Sequence, residues 1–171
     1  MTPPELTTDR LRLRPLTRDD VPALVPVYTD PEVTRYFSGD VPGQAAVATM
    51  VERRLTRPML PGMGSWALDL DGTVVGLGHI WPSAQLPGHL AEMGWLLGRR
   101  HWGQGLATEA ARAVLDHGRG TLALPAVWAL VHRDNKPSVA VAERLGMLEV
   151  GEGHYHGARH RVFVSIAHDQ P

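Results

Sequence analysis

The sequence predicts an α+β fold in layers, a mixed sheet with helices on its faces. Three observations carry this. Short apolar runs read as strands, with the clearest alternation at Leu11 and Leu13 against Arg12 and Arg14. Segments with helix-start signals lie between those runs. Turn residues, above all Asp71-Gly72, join neighbouring strands, because Asp-Gly tolerates the positive φ angles of a tight hairpin.

In order, residues 5–16 read as one strand with a wet face. Thr17 with Asp19 and Asp20 starts a helix that runs to about Asp30 and is disturbed by Pro26. A second helix is expected over Pro42 to Arg57. "GSWALDL" (64–70) and "TVVGLGHIW" (73–81) form the hairpin, and "HLAEMGWLL" (89–97) is a further strand. A helix over 104–118 follows, then the strand "AVWALVH" (126–132) and a short helix from Asn135 to Leu145, closed by Gly146. Two last strands turn near Gly157. The count is seven strands. No repeat or linker divides the chain, so residues 1–171 are expected to form one domain.

Composition narrows the function. The 171 residues are 43% hydrophobic and 20% charged, with a formal charge of −1. That balance argues against nucleic acid or an anionic membrane as the main partner. There is no cysteine, which excludes disulfides, thiolate metal sites and a cysteine nucleophile. This fits a cytoplasmic location. No apolar run approaches the ~20 residues of a membrane span.

The stretch "GRRHWGQGLATEAA" (98–111) asks for an explanation, since Gly103 and Gly105 weaken any helix they open. Glycines before a helix let backbone approach a ligand closely. The helix then presents free N–H groups and the positive end of its dipole, a site for phosphate. Arg99 and Arg100 could pair with phosphate oxygens. The P-loop pattern needs Gly-Lys-Ser/Thr, but Gly105-Leu106-Ala107 stands here. The dinucleotide fingerprint needs Gly or Ala where Thr108 stands.

The stretch instead resembles the signature of the GNAT superfamily of acetyl-CoA-dependent N-acetyltransferases, Gln/Arg-x-x-Gly-x-Gly/Ala, matched by Arg100, Gly103 and Gly105. "NKPSVAVAERLGM" (135–147) resembles the segment that ends that fold's core. "TDRLRLRPLTRDD" and "WGQGLATEAA" are similar to the Rim-type branch, which includes enzymes acting on ribosomal-protein N-termini. The resemblance implies a central, mostly antiparallel sheet with splayed strands that bind acetyl-CoA. The pantetheine arm would lie along Trp95, Leu96 and Leu97, and the pyrophosphate on the backbone of Arg100, Trp102, Gly103, Gln104, Gly105, Leu106, Ala107 and Thr108. Asn135 would bond the pantetheine arm, and Ser138 would stand near the thioester sulfur. Both also suit helix capping. Trp102 is expected to anchor its loop in apolar surface.

Acetyl transfer to an amine requires a neutral nucleophile. A lysine, of pKa about 10.4, costs roughly 3.5 kcal/mol more to deprotonate than an α-amino group at about 7.7–8.0. A weak base therefore suffices for N-termini. Glu92, mid-strand among apolar residues, is the candidate for base or ammonium binder. The alternatives are a solvated edge residue or one paired with Arg99 or Arg161. The family's tyrosine is absent from "SVAVAERL", which leaves Ser138, then Tyr155, or solvent to protonate the leaving thiolate.

His154 and His156 alternate on one strand face and, with His160, are read as solvated or substrate-lining rather than metal-binding. "YFSGD" (36–40) and the early helices are expected to wall the acceptor cleft, and "ERRLTR" (52–57) reads as a wet helix end. The resulting expectation is direct transfer from acetyl-CoA, without metal, to a small-molecule or protein N-terminal amine. The alternative is a non-catalytic acyl-CoA sensor on the same fold. A nucleotide-dependent oxidoreductase is disfavoured by Thr108. A homodimer is implied by the resemblance alone.

Overall fold

The computed structural model describes residues 2–37 and 41–167. An eight-stranded sheet runs in the order β1-β2-β3-β4-β5-β6-β8-β7. The strands are β1 (Leu6–Thr7), β2 (Arg12–Pro15), β3 (Gly64–Leu70), β4 (Thr73–Pro82), β5 (Ala91–Leu97), β6 (Ala126–His132), β7 (Leu148–Tyr155) and β8 (Ala158–Ile166). All neighbours are antiparallel except β5 and β6, which are parallel.

The eighth strand comes from residues 5–16, which fold back on themselves instead of running straight. Thr8 makes the turn: its backbone N–H donates to the Leu11 carbonyl at 2.9 Å, and its hydroxyl accepts from the Leu11 N–H at 2.9 Å. Both hairpins have the turn chemistry the sequence carries. Asp71 and Gly72 have φ of 51° and 82°, His156 and Gly157 of 48° and 76°, the left-handed pair that a two-residue hairpin requires.

The helices are α1 (Val21–Tyr28), α2 (Pro31–Thr34), α3 (Gln44–Thr56), α4 (Leu106–Asp116) and α5 (Lys136–Arg144). Pro26 does not end α1: it is the sixth of eight residues, and the i−4 carbonyl deprived of its N–H is that of Pro22 in the first turn. Two cores result. Leu106, Ala110, Val114, Val139 and Ala142 of α4 and α5 pack on one face against Trp66, Met93, Val127 and Phe163. Leu24, Tyr28, Val47 and Val51 of α1 and α3 pack on the other against Ala67 and Leu77. None of the described helices is long and apolar enough to cross a membrane.

The second layer is pinned by a partly buried ion pair. Arg14 of β2 grips Asp20 at 2.5 Å, and Asp20 also accepts the Thr17 N–H at 2.8 Å, just ahead of α1. Burial alone would push the Asp20 carboxyl up, but its bonds with Arg14 and Thr17 outweigh burial and hold it below its ordinary value. A depressed carboxylate contributes stability above its unfolded value of about 3.9, and that stability is lost as pH falls through the folded value. Asp20→Ala is therefore expected to cost about 2–3 kcal/mol at pH 7 and much less at pH 3. Urea denaturation at the two pH values checks this.

Candidate functional site

Strands β5 and β6 meet at a single pair, Glu92 opposite Trp128. Beyond it they part. Gly98 gives its N–H to Val75 on the β4 side at 2.8 Å. Alternation along a strand then turns the N–H and C=O of Trp95 and Leu97 toward the side that β6 has left open. The backbone of Leu96 faces β4, and its side chain joins the α1–α3 core.

The fork opens onto a cleft of about 1520 Å³, larger than the ~300–1,000 Å³ of ordinary small-molecule sites. Its wall includes Trp95, Leu96, Leu97, Trp102, Gly103, Gly105, Leu106, Ala107, Thr108, Asn135 and Ser138. Arg100 and Gln104 of the expected set lie outside that wall, where the Gln104 amide donates to the Arg100 carbonyl at 3.3 Å.

Gly103 and Gly105 have φ of 73° and 78°, so the loop needs glycine for its backbone conformation as well as for close approach. A side chain at Gly103 would meet open space within 4 Å. The N–H groups of residues 103–105 have no protein partner among the described residues, and the first turn of α4 adds its own unpaired donors.

Two contacts fix this loop. The Trp102 indole donates to the Leu97 carbonyl at 2.7 Å, although the ring is 43% exposed. Its anchor is thus a hydrogen bond to the fork, where burial in apolar surface was expected. The second contact was missed in the sequence. Glu109, in the first turn of α4, accepts from the Thr8 hydroxyl at 2.5 Å, the Arg10 N–H at 2.9 Å and Arg10 Nε at 2.7 Å. Arg10 then donates to the Gln104 carbonyl at 2.8 Å. Burial would raise the Glu109 carboxyl, but these donors win and hold it below its ordinary value. An acid in a first helical turn was the available signal.

Asn135 caps α5, its side chain accepting the Ser138 N–H at 3.2 Å. The Ser138 hydroxyl, on the cleft wall, has no protein partner among the described residues.

Glu92 is buried at the apex of the fork, 8% exposed. It is neither a solvated edge residue nor a partner of Arg99 or Arg161. Arg99 is exposed, and Arg161 pairs with Glu149 at 2.5 Å. One Glu92 oxygen instead accepts from the buried Ser83 hydroxyl, and the other lies 3.8 Å from His156 Nε2. His156 sits at the hairpin tip rather than on the strand face of His154, and its N–H is held by Gln85 at 3.0 Å. Ring contacts continue from His156 to His160 at 5.7 Å, to His132 at 5.5 Å and to Tyr36 at 5.0 Å. Burial, with the neighbouring imidazoles, lowers His160 from its usual range. Among the described residues no group of three or more His, Cys, Asp or Glu is placed to hold a metal. Tyr36 and Phe37 line this cleft, beside the glycine loop, while Ser38, Gly39 and Asp40 lie outside the described residues. Tyr155 stands away from the cleft, its ring against Gly153.

A forked sheet with a glycine loop at the fork defines the class of protein, the N-acetyltransferase fold. The model of the acetyltransferase (GNAT) domain family matches residues 10–148, and the chain belongs to this family of acetyl-transferring enzymes. It is 31% identical over 149 residues to the uncharacterized N-acetyltransferase p20 of Bacillus licheniformis, covering 85% of this chain and 83% of that one. The crystal structure of an acetyltransferase from Agrobacterium tumefaciens superposes with a TM-score of 0.81 at 31% identity, over 96% of this chain and 95% of that one. RimL, a ribosomal L7/L12 α-N-protein acetyltransferase solved with coenzyme A, shares the fold at a TM-score of 0.78 and 20% identity, over 96% and 98% of the two chains.

Removing the indole donor tests how the loop is held. Trp102→Phe should cost about 1 kcal/mol and speed amide hydrogen exchange across residues 99–105, while exchange in α5 stays as it was.

Proposed function

We propose that the chain transfers an acetyl group directly from acetyl-CoA to a primary amine, a small molecule's or a protein N-terminus, as a Rim-type enzyme of the cytoplasm. The single observation that carries this reading is the position of Glu92, a buried acid at the apex of the fork. A sensor that only bound the donor would have no use for a carboxylate there.

The residues fit coenzyme A. Unpaired N–H groups at 103–105 and at the start of α4 suit a pyrophosphate. The backbone edge left at Trp95 and at the Leu97 N–H suits an amide-bearing arm laid down like an added strand. Acetyl-CoA, when bound, supplies the activated acetyl thioester. Glu92 takes the proton that the acceptor ammonium must lose, with Ser83 fixing one of its oxygens and His156 facing the other. His156 is 47% exposed at its side chain, so the proton has a route to solvent. Ser138, uncommitted on the cleft wall, donates a hydrogen bond to the departing sulfur.

Two outcomes follow. Gly103→Val puts a β-branched residue in a left-handed conformation and should weaken acetyl-CoA binding about tenfold or more. Gln104→Ala, outside the cleft wall, should change it little, and calorimetry ranks the two. Glu92→Gln should lower kcat about 10²–10⁴-fold while acetyl-CoA affinity is kept. Free CoA release across a panel of peptides and amines measures the rate, and no release with any amine would favour the sensor.

A further inference from the structure

The end of α3 departs from the wet helix end read in the sequence. Arg53 is exposed, but Arg54 and Arg57 turn inward over Trp81, their guanidinium carbons 4.7 and 4.8 Å from its ring centroid. Trp81 is directly opposite Glu92 in the β4–β5 register, so the two project from one face of the sheet. His79 stacks on Trp81 at 3.6 Å and 17°, in space that the missing side chain of Gly94 leaves free. Burial first, then the charges of Arg54, Arg57 and His156, hold His79 well below its usual range and keep it neutral. On the other side of Glu92 stands Trp128, whose indole nitrogen is buried with no partner among the described residues.

Two cations thus lie beside the acid at the fork, and neither has a carboxylate within salt-bridge distance among the described residues. Arg57 spends one donor on the Pro82 carbonyl at 2.5 Å. Arg54 is barely satisfied. Its Nε and Nη1 are buried without a hydrogen-bond partner among the described residues, and Nη2 reaches the Tyr28 hydroxyl only at 3.5 Å. The two Glu92 oxygens face Ser83 and His156 instead. A guanidinium does not escape by losing its proton. Its carbon lies over the Trp81 ring, and its N–H donors lie in the guanidinium plane, where a carboxylate would be gripped. Such donors left buried and unpaired are costly, so an anion brought from outside is the partner they fit.

We propose that the acceptor carries a carboxylate in the same molecule as its amine, with the amine at Glu92 and the carboxylate in the plane of the Arg54 guanidinium, supported by Arg57. This rests on the acetyl-transfer reading above. A free amino acid and a peptide whose first residue is aspartate share that chemistry, and paired acceptors separate them.

Acetyl transfer is measured with L-alanine against L-alaninamide, and with an Asp-initiated against an Asn-initiated peptide, on the intact chain and on Arg54→Met. The intact enzyme should favour the carboxylate member of one pair by about tenfold or more in kcat/KM, mainly through KM. The favoured pair identifies the source of the carboxylate. In Arg54→Met that ratio should collapse toward one, with Tm kept or raised, because an unpaired buried charge has been replaced by a chain of similar volume. A structural arginine would instead lower Tm and leave the ratio in place, which overturns the proposal. Equal use of both members of each pair overturns it while acetyl transfer stands. No transfer to any of the four acceptors overturns it too, and only the absence of CoA release across the wider amine panel overturns the acetyl-transfer reading as well.

Discussion

The molecule is organised around one parallel strand pair that is allowed to fail. Parallel strands bury two faces and ordinarily pair along their length. Here β5 and β6 are in register only at Glu92 and Trp128. Every further residue of β5 toward Leu97 gives up ladder bonds on that side. The compensation lies at the fork. The Trp102 indole takes the Leu97 carbonyl, and Asn135 caps the helix that follows β6. What stays unpaired is a short backbone edge beside a loop of unpaired N–H groups, which is what an extended, phosphate-bearing donor needs.

That edge is useful only if the loop keeps its shape. Two left-handed glycines would leave it soft. The stiffness comes from the far end of the sequence, where Thr8 and Arg10 close on Glu109 and Arg10 reaches across to Gln104. The fold-back of residues 5–16 brings these groups to α4. A straight strand would carry them past it. The extra strand from residues 5–16 therefore supports the glycine loop as well as extending the sheet.

The local chemistry of the chain was legible. Asp71-Gly72, the Asn135 cap, Gly146 and the glycine loop all declared themselves through residue type and spacing, and each is where a short-range rule puts it. The acid at the fork also showed, since a carboxylate amid apolar strand residues is conspicuous. What was not legible depends on partners distant in sequence. Arg54 and Arg57 look like solvent-facing charges until β4 places Trp81 under them. The Glu109 clasp joins residues about a hundred positions apart. His156 read as one more residue on a strand face until the turn put it opposite Glu92. For Arg54 and Arg57 the helix was expected and packing set the side chains' direction, while Thr8, Arg10 and His156 lie in turns where a strand was expected.

The two faces of the sheet divide the labour, and their charges differ accordingly. On the α4–α5 face the loop offers backbone donors and a helix N-terminus, a field suited to phosphate. On the α1–α3 face Glu92 stands among Arg54, Arg57 and neutral His79. Nearby cations disfavour a bound ammonium, and the acid favours it. An amine placed between them is therefore held by Glu92 yet pressed to give up its proton, the condition attack on a thioester demands. An anionic group on the same acceptor would neutralise the arginines only after it had docked. That neutralisation would relax the pressure on the amine and leave Glu92 to take the proton, so a single pair of arginines would link recognition of the acceptor to the protonation state of its amine.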